Sequence, residues 1–189
     1  ELAMTDLTWT SSNENVATVD SNGLVTGKSD GYATIYGYYE TGKLYAMCKV
    51  NVSSDIANPQ IETGEGFTAI LKPDGTVWTI GKNEDGQLGD GTNVDKKEAV
   101  QVKIDENTYL TNIVKISVGQ NHVMALTKDG EVYAWGANTF GQLGQNNTES
   151  LNYAKKVLGE GGDNSLQNII DISAGSYGSM AINEYGWVY

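Results

Sequence analysis

Apolar and polar positions alternate in short runs along most of this chain, and turn residues separate the runs. "LYAMCKVNV" places Leu44, Ala46, Cys48, Val50 and Val52 on one side of an extended strand. "FTAIL" (Phe67 to Leu71) and "TVWTI" (Thr76 to Ile80) flank Lys72-Pro73-Asp74-Gly75, in which proline presets one turn position and glycine accepts a positive φ. Runs rich in Val, Ile, Thr, Tyr and Trp recur in this way, and no helix-length amphipathic pattern interrupts them. The pattern predicts an all-β chain.

The second part of the sequence repeats itself. "DGTVWTIGKNEDGQLG" (Asp74 to Gly89) returns 55 residues later as "DGEVYAWGANTFGQLG" (Asp129 to Gly144). Gly64, Gly75, Gly81, Gly86 and Gly89 reappear as Gly119, Gly130, Gly136, Gly141 and Gly144. A third copy, "AGSYGSMAINEYGWVY", brings Gly186 to the place of Gly130. "NIVKISVG" and "NIIDISAG" lead into the second and third copies. Four strands in each unit describe a propeller blade, with the hairpin and the Gly-Gln-Leu-Gly turn as its shared parts. Trp78, Tyr133 and Trp135 are expected in or beside the blade interfaces. Because the third copy stops within its second strand, and the chain opens on Glu1, both ends are expected to be truncated.

"VGQNHVMALTKDGEVYAWGANTFGQLG" (Val118 to Gly144) resembles a repeat of the regulator of chromosome condensation family. Gly119, His122, Leu126, Gly130, Trp135, Gly136 and Asn138 fall in register with it. The first copy departs from the pattern at Phe67 and Ile80, and the third at Gly178. The resemblance covers residues 61–189 and implies two blades and part of a third, which act through loops on one face toward protein partners. Leu7 to Val52 is similar to a bacterial immunoglobulin-like domain of group 2, through Trp9, Ser11-Ser12-Asn13, Val16 to Val19, Gly23, Val25, Gly31 and Ala33 to Ile35. The expected organisation is a partial immunoglobulin-like β-sandwich over 1–52, a linker over 53–60 and an incomplete β-propeller over 61–189.

Charge and chemistry narrow the function. Asp and Glu outnumber Lys and Arg 24 to 12, for a formal charge of −12, which argues against nucleic acid and anionic membranes as partners. No apolar run approaches the ~20 residues of a membrane-spanning helix, so direct membrane insertion is not expected. The single cysteine excludes an internal disulfide and a multi-cysteine zinc site. Hairpin pairing about Thr41-Gly42 sets Ile35 against Cys48, Ala33 against Val50 and Glu40 against Lys43, and predicts Cys48 as a small buried residue. His122, the only histidine, occupies a repeated position and reads as scaffold. Asn83 to Asp95 offers oxygen ligands for calcium, but Glu84, Asp85 and Asp90 align with Thr139, Phe140 and Gln145, as variable solvated turns do. No cofactor, metal or catalytic residue is expected.

Two groups are candidates for partner binding. Glu84, Asp85, Thr139 and Phe140 sit at the variable loop positions of the blades. Tyr36, Tyr38 and Tyr45, with Tyr32 and Met47, form a stripe in which Tyr38 lies across from Tyr45 and Tyr36 across from Met47. That stripe is either cross-strand stabilisation, a face covered by other strands or a blade, or a contact surface for a protein or glycan. Taken with the immunoglobulin-like companion, the expected function is a noncatalytic protein- or glycan-binding module of an exported bacterial protein, secreted or at the cell surface. The alternative is the propeller of a carbohydrate-active enzyme whose catalytic residues lie elsewhere. Guanine-nucleotide exchange, as in the family's namesake, rests on fold analogy alone.

Overall fold

Alternation and turn chemistry produce fifteen strands and no helix among the described residues. The computed structural model describes residues 7–39, 43–53, 56–160, 162 and 164–189, without the side chains of Leu44 and Tyr45. The chain divides into two compact units, Glu1–Ser54 and Asp55–Tyr189. The all-β class and propeller-type blades follow the sequence pattern, and none of the sheets closes into a barrel.

Unit one contains β1 (Leu7–Ser11), β2 (Ala17–Val19), β3 (Val25–Gly27), β4 (Gly31–Tyr39) and β5 (Lys43–Val52). Strands β1, β4 and β5 form one antiparallel sheet in that order, and β2–β3 is a separate hairpin. The Asp20 carboxylate closes that hairpin by accepting from the N–H groups of Asn22 (2.8 Å) and Leu24 (2.9 Å). Val16, Ala17 and Ala33 form a small core, with Val50 and Val52 against it.

The β4–β5 register pairs Ile35 with Cys48, Ala33 with Val50 and Tyr36 with Met47, as the sequence predicts. Beyond Gly37 and Ala46 a β-bulge intervenes, and Tyr38 pairs with Leu44 instead of Tyr45. The expected Tyr38–Tyr45 pair is therefore not formed: one extra residue on β5 shifts everything after it by one position. By the same shift Lys43 pairs with Tyr39 and not with Glu40 as expected, while the Thr41-Gly42 turn lies outside the described residues. Cys48 is exposed, contrary to expectation. It does share a face with buried Ile35, but β5 is the sheet edge, and the small core stops short of it.

Unit two is built from β6 (Gln60–Thr63), β7 (Phe67–Leu71), β8 (Val77–Gly81) and β9 (Lys96–Gln101) as blade one. Blade two is β10 (Ile113–Val118), β11 (His122–Thr127), β12 (Val132–Gly136) and β13 (Leu151–Lys156). A third unit has β14 (Ile169–Ala174) and β15 (Ser179–Asn183), with Tyr189 exchanging backbone hydrogen bonds with Ala181. Each blade is a four-stranded antiparallel meander in chain order. Ile56 and Ala57 are tied to blade one by hydrogen bonds to the Pro73 carbonyl. The β7–β8 turn closes by Gly75 N–H donating to Lys72 O (2.9 Å), with Gly75 at φ 76°, where a side chain would be strained.

The period of two divides each blade into a face toward the preceding blade and a face toward the following one. Leu71, Val77 and Leu88 of blade one bury against Ile116, Val123, Ala125 and Trp135 of blade two. Met124, Leu126, Val132 and Leu143 bury in turn with Leu166, Ile169, Ile172 and Ala181. Trp135 is wholly buried and Tyr133 packs beside the first of these cores, as expected of interface aromatics. Trp78 belongs to neither core. It is half-buried beneath the Lys72 ammonium, 3.8 Å from its ring centroid, and its Nε1 donates to Thr76 Oγ1. It lies on the face of blade one opposite to the junction, since its neighbours Val77 and Thr79 take the buried side.

The innermost strands have an unpaired edge, whose N–H groups need acceptors. Gln60 Oε1 accepts from Ile116 N–H (2.8 Å) and Glu62 Oε2 from Val118 N–H (2.7 Å). Ser117 Oγ accepts from Ala174 N–H (2.9 Å) at the next junction, beside a Lys115–Asp171 ion pair. Side chains of one blade thus complete the backbone hydrogen bonding of the next.

Candidate functional site

Antiparallel pairing places the β6–β7 turn and the β8–β9 loop at the same end of blade one, because Phe67 pairs with Gly81. Blade two repeats this with His122 and Gly136. One face of unit two therefore carries residues 64–66, 82–95, 119–121, 137–150 and 175–178. Glu84, Asp85, Thr139 and Phe140 all fall on it.

The long loops of this face share an internal frame. Asn83 is buried, its Nδ2 donates to the carbonyls of Thr92 (2.9 Å) and Val94 (3.2 Å), and its Oδ1 accepts from Leu88 N–H (2.9 Å). Asn138 does the same with the carbonyls of Asn147 and Glu149 (3.0 Å each) and with Leu143 N–H (2.9 Å). Gln87 Oε1 accepts from Asp85 N–H, and Gln142 Oε1 from Phe140 N–H, both at 2.9 Å. The frame thus fixes the backbone at the tip, while the tip side chains differ: Glu84-Asp85 in one blade, Thr139-Phe140 in the next. Phe140 is 69% exposed, and its ring meets that of Tyr177, 57% exposed, edge to face at 5.2 Å.

Shorter turns join the blades across this face. Glu65 N–H donates to Gln120 O (2.7 Å), Gln120 N–H to Ser176 O (3.3 Å), and Gln120 Nε2 to the Glu65 carboxylate. Glu65, Gln120, Ser176 and Tyr177 belong to the surface but were not among the sequence candidates. The equal offset of Glu65, Gln120 and Ser176 from Gly64, Gly119 and Gly175 was the available signal.

The carboxylates considered for calcium are engaged by the loop itself. Asp95 Oδ1 accepts from Asn83 N–H (2.8 Å). Asp90 pairs with Lys96 (3.2 Å) and accepts from the Thr92 N–H and hydroxyl. Burial alone would raise the Asp90 pKa, but the Thr92 hydrogen bonds and Lys96 outweigh it and hold the carboxyl below its ordinary value. No three His, Cys, Asp or Glu side chains group for a metal among the described residues.

His122 is wholly buried, with Nε2 3.0 Å from Ser179 Oγ of the third unit and Nδ1 without a partner. Burial lowers its pKa to about 4, so it is neutral near pH 7. It acts as a junction residue, as its repeated position implies.

A cleft of about 360 Å³ opens between blade two and the third unit, lined by Leu143, Gly144, Val157 and Leu166 with Phe140 and Tyr177 at its edge. The equivalent space at the first junction is filled by Trp135, whose Nε1 donates to Gln87 O (3.0 Å) and whose ring covers Gly89 beside Val102. Leu143, Gly144 and Val157 are the repeat counterparts of Leu88, Gly89 and Val102. The cleft therefore lies, at the second junction, where Trp135 packs at the first.

In unit one, Tyr36 and Tyr38 are half-buried, with ring centroids 6.1 Å apart and planes tilted by 30°. Tyr32 and Met47 are exposed, and the side chain of Tyr45 lies outside those described. The structure thus brings together Tyr36 and Tyr38 in one unit, and Glu84, Asp85, Thr139 and Phe140 on one face of the other.

Comparison with known proteins bears on both units. The regulator of chromosome condensation (RCC1) repeat matches residues 74–126 and 129–182, and the bacterial Ig-like domain (group 2) matches residues 3–50. The chain is 34% identical over 143 residues to the protein RCC2 homolog of Danio rerio, covering 76% of this chain and 27% of that protein. It is 38% identical over 122 residues to the E3 ubiquitin-protein ligase HERC2 of Homo sapiens, covering 65% of this chain and 2% of the ligase. Prp20p from Saccharomyces cerevisiae shares the fold, with a TM-score of 0.55 and 24% identity over 92% of this chain and 40% of that one. The chain spans less than a third of the length of these curated relatives.

These eukaryotic RCC1-like relatives overturn the expectation of an exported bacterial surface module, and with it the glycan partner and the carbohydrate-active alternative. That expectation was drawn from the immunoglobulin-like companion, whereas the relatives match through the repeats that make up most of the chain. With its repeat matched over more than half of the residues, the chain belongs to the regulator of chromosome condensation (RCC1) repeat family.

Proposed function

We propose that the propeller unit is a noncatalytic protein-binding module, that it uses the face carrying Glu84, Asp85, Thr139 and Phe140, and that its partner surface is basic. The observation behind this reading is the duplicated loop frame, which holds the tip backbone rigid while the tip residues vary. A surface ordered in advance loses little conformational freedom on binding, so exposed groups such as Phe140 and Tyr177 contribute more of their contact energy to affinity. The formal charge of −12 favours encounter with a cationic partner and disfavours an anionic one. Prp20p is described with binding properties to Gsp1p and histones, and histones are strongly basic. His122 is enclosed in a blade junction, so this reading gives it a structural part and no catalytic one.

Titrating the fluorescently labelled chain with purified core histones tests the proposal, with polylysine as a control for charge alone. Binding is expected to weaken about tenfold in the Glu84→Gln, Asp85→Asn double variant and in Phe140→Ala, a loss typical of an interface anchor. Histone affinity that is absent, equal to that for polylysine, or indifferent to all three substitutions would overturn it. Accelerated nucleotide release from Gsp1p would overturn the noncatalytic half of the reading.

A further inference from the structure

At the strand ends opposite the tip loops, the β11–β12 turn lies beside the connection from β9 to β10, because Ile113 pairs with Thr127. Both segments belong to the two complete four-stranded blades. A cavity of about 180 Å³ opens between them, and its lining includes Ile104, Tyr109, Leu110, Asp129, Glu131 and Tyr133. That volume holds one side chain and falls short of the ~300 Å³ at which sites for drug-sized ligands begin. Its backbone donors are spent inside the fold. The N–H groups of Leu110, Thr127 and Glu131 donate to Val102 O (2.9 Å), Glu131 O (2.9 Å) and Thr127 Oγ1 (3.0 Å). Asp129 is exposed, and its carboxylate has no hydrogen-bond or ion-pair partner among the described residues. The other copy shows why. In blade one the equivalent Asp74 accepts from the N–H (3.0 Å) and the hydroxyl (2.7 Å) of Thr76. Glu131 stands in the place of Thr76, brings no hydroxyl, and turns its N–H to Thr127 Oγ1 instead. Glu131 is itself paired with Lys156 (2.6 Å), so Asp129 is the carboxylate left for a ligand.

We propose that this cavity takes the side chain of one arginine from a protein partner. A site rich in acceptors calls for a donor-rich occupant, and a guanidinium carries five N–H donors in one plane. Its fork matches the free Asp129 carboxylate, and its flat face stacks on a tyrosine ring. The two rings here already draw cations. Lys103 Nζ stands 5.5 Å from the Tyr109 ring centroid, and Lys156 Nζ stands 5.9 Å from that of Tyr133. A lysine from the partner would bring a compact, strongly hydrated charge that neither forks nor stacks, so arginine is the better fit. The cavity lies at the opposite end of the blades from Glu84, Asp85, Thr139 and Phe140. It is a second contact, independent of the tip-loop surface.

Backbone amide shifts of the full chain, followed by NMR during titration with N-acetylarginine amide, test this. Saturable shifts are expected at residues 108–112 and 127–133, with a dissociation constant in the millimolar range that suits a single side chain. N-acetyllysine amide carries the same charge and is expected to bind about tenfold more weakly. Asp129→Asn alters an exposed side chain with no partner in the fold. It is expected to weaken arginine binding about tenfold while leaving the melting temperature unchanged. The Glu84→Gln, Asp85→Asn variant is expected to bind the probe as the wild type does, which separates this cavity from the tip loops. The absence of a saturable shift, equal affinity for the two amides, or affinity indifferent to Asp129→Asn would overturn the proposal. So would loss of binding in the tip-loop variant.

Discussion

The two junctions of unit two use different chemistry at one equivalent position, and this can be exchanged by design. Phe67 and Val123 meet in the first buried core, whereas their counterparts His122 and Ser179 form a polar pair at the second junction. Burial holds the His122 pKa at about 4, against 6.5 for an ordinary histidine. The unfolded chain therefore takes up a proton before the folded chain does. Stability is fully present above pH 6.5, is lost as pH falls from 6.5 to about 4, and loses nothing further from this group below that. The difference of pKa corresponds to about 3 kcal/mol over that window. Replacing His122 by Phe removes this dependence, together with a buried Nδ1 that has no partner and costs about 1–3 kcal/mol. The single variant leaves the Ser179 hydroxyl facing a hydrocarbon ring, which offsets part of that gain. His122→Phe with Ser179→Val recreates the first junction and is expected to be at least as stable as the wild type at pH 7. Urea unfolding, read by pulse-labelled exchange of the Val123–Leu126 amides, isolates this unit. The carboxylates of Asp90 and Asp171 also lose stabilisation in acid, so the quantity to follow is the difference between wild type and variant. Equal pH dependence in the two proteins between pH 6.5 and 4 would refute the reasoning.

Other substitutions test the loop frame and the junctions. Asn138→Ala removes a buried side chain and its hydrogen bonds to the Asn147 and Glu149 carbonyls and from Leu143 N–H, and is expected to lower unfolding free energy by about 2–4 kcal/mol in urea titrations, with faster amide exchange at Leu143. Gly136→Ala places a side chain at φ 99° against the Asn121 carbonyl, and a loss of about 2 kcal/mol or more is expected in the same assay. Trp135→Phe keeps most of the ring burial but leaves Gln87 O without its donor, for an expected cost of about 1–2 kcal/mol. A chelator is expected to leave the midpoint of thermal unfolding unchanged, since Asp90 and Asp95 are engaged by Lys96, Thr92 and Asn83; a marked drop would show an ion in the Asn83–Asp95 loop.

What could be read in advance follows the physics of repetition. A glycine forced to positive φ, such as Gly75 or Gly130, must recur wherever the turn recurs, so the hairpins and blades were visible as spaced letters. The same logic marked Asn83 and Asn138, whose side chains replace missing backbone partners in both loops. Where a feature occurs once, the chain offers no such check. The bulge that moves Leu44 opposite Tyr38 depends on a single extra residue at a sheet edge, and alternation alone predicts unbroken pairing there. Cys48 was misplaced for a related reason: the period of two identifies the side of a sheet, while burial depends on whether another layer reaches that spot. Trp78 shows the limit within the repeats themselves, since an aromatic residue on a propeller strand faces one neighbour or the other by parity, and its neighbours Val77 and Thr79 take the junction side. The face formed by Glu84, Phe140 and Tyr177 lies between these cases. Its scaffold repeats and was legible, but the Phe140–Tyr177 contact joins two blades through residues that differ in every copy, and only the three-dimensional arrangement brings them together.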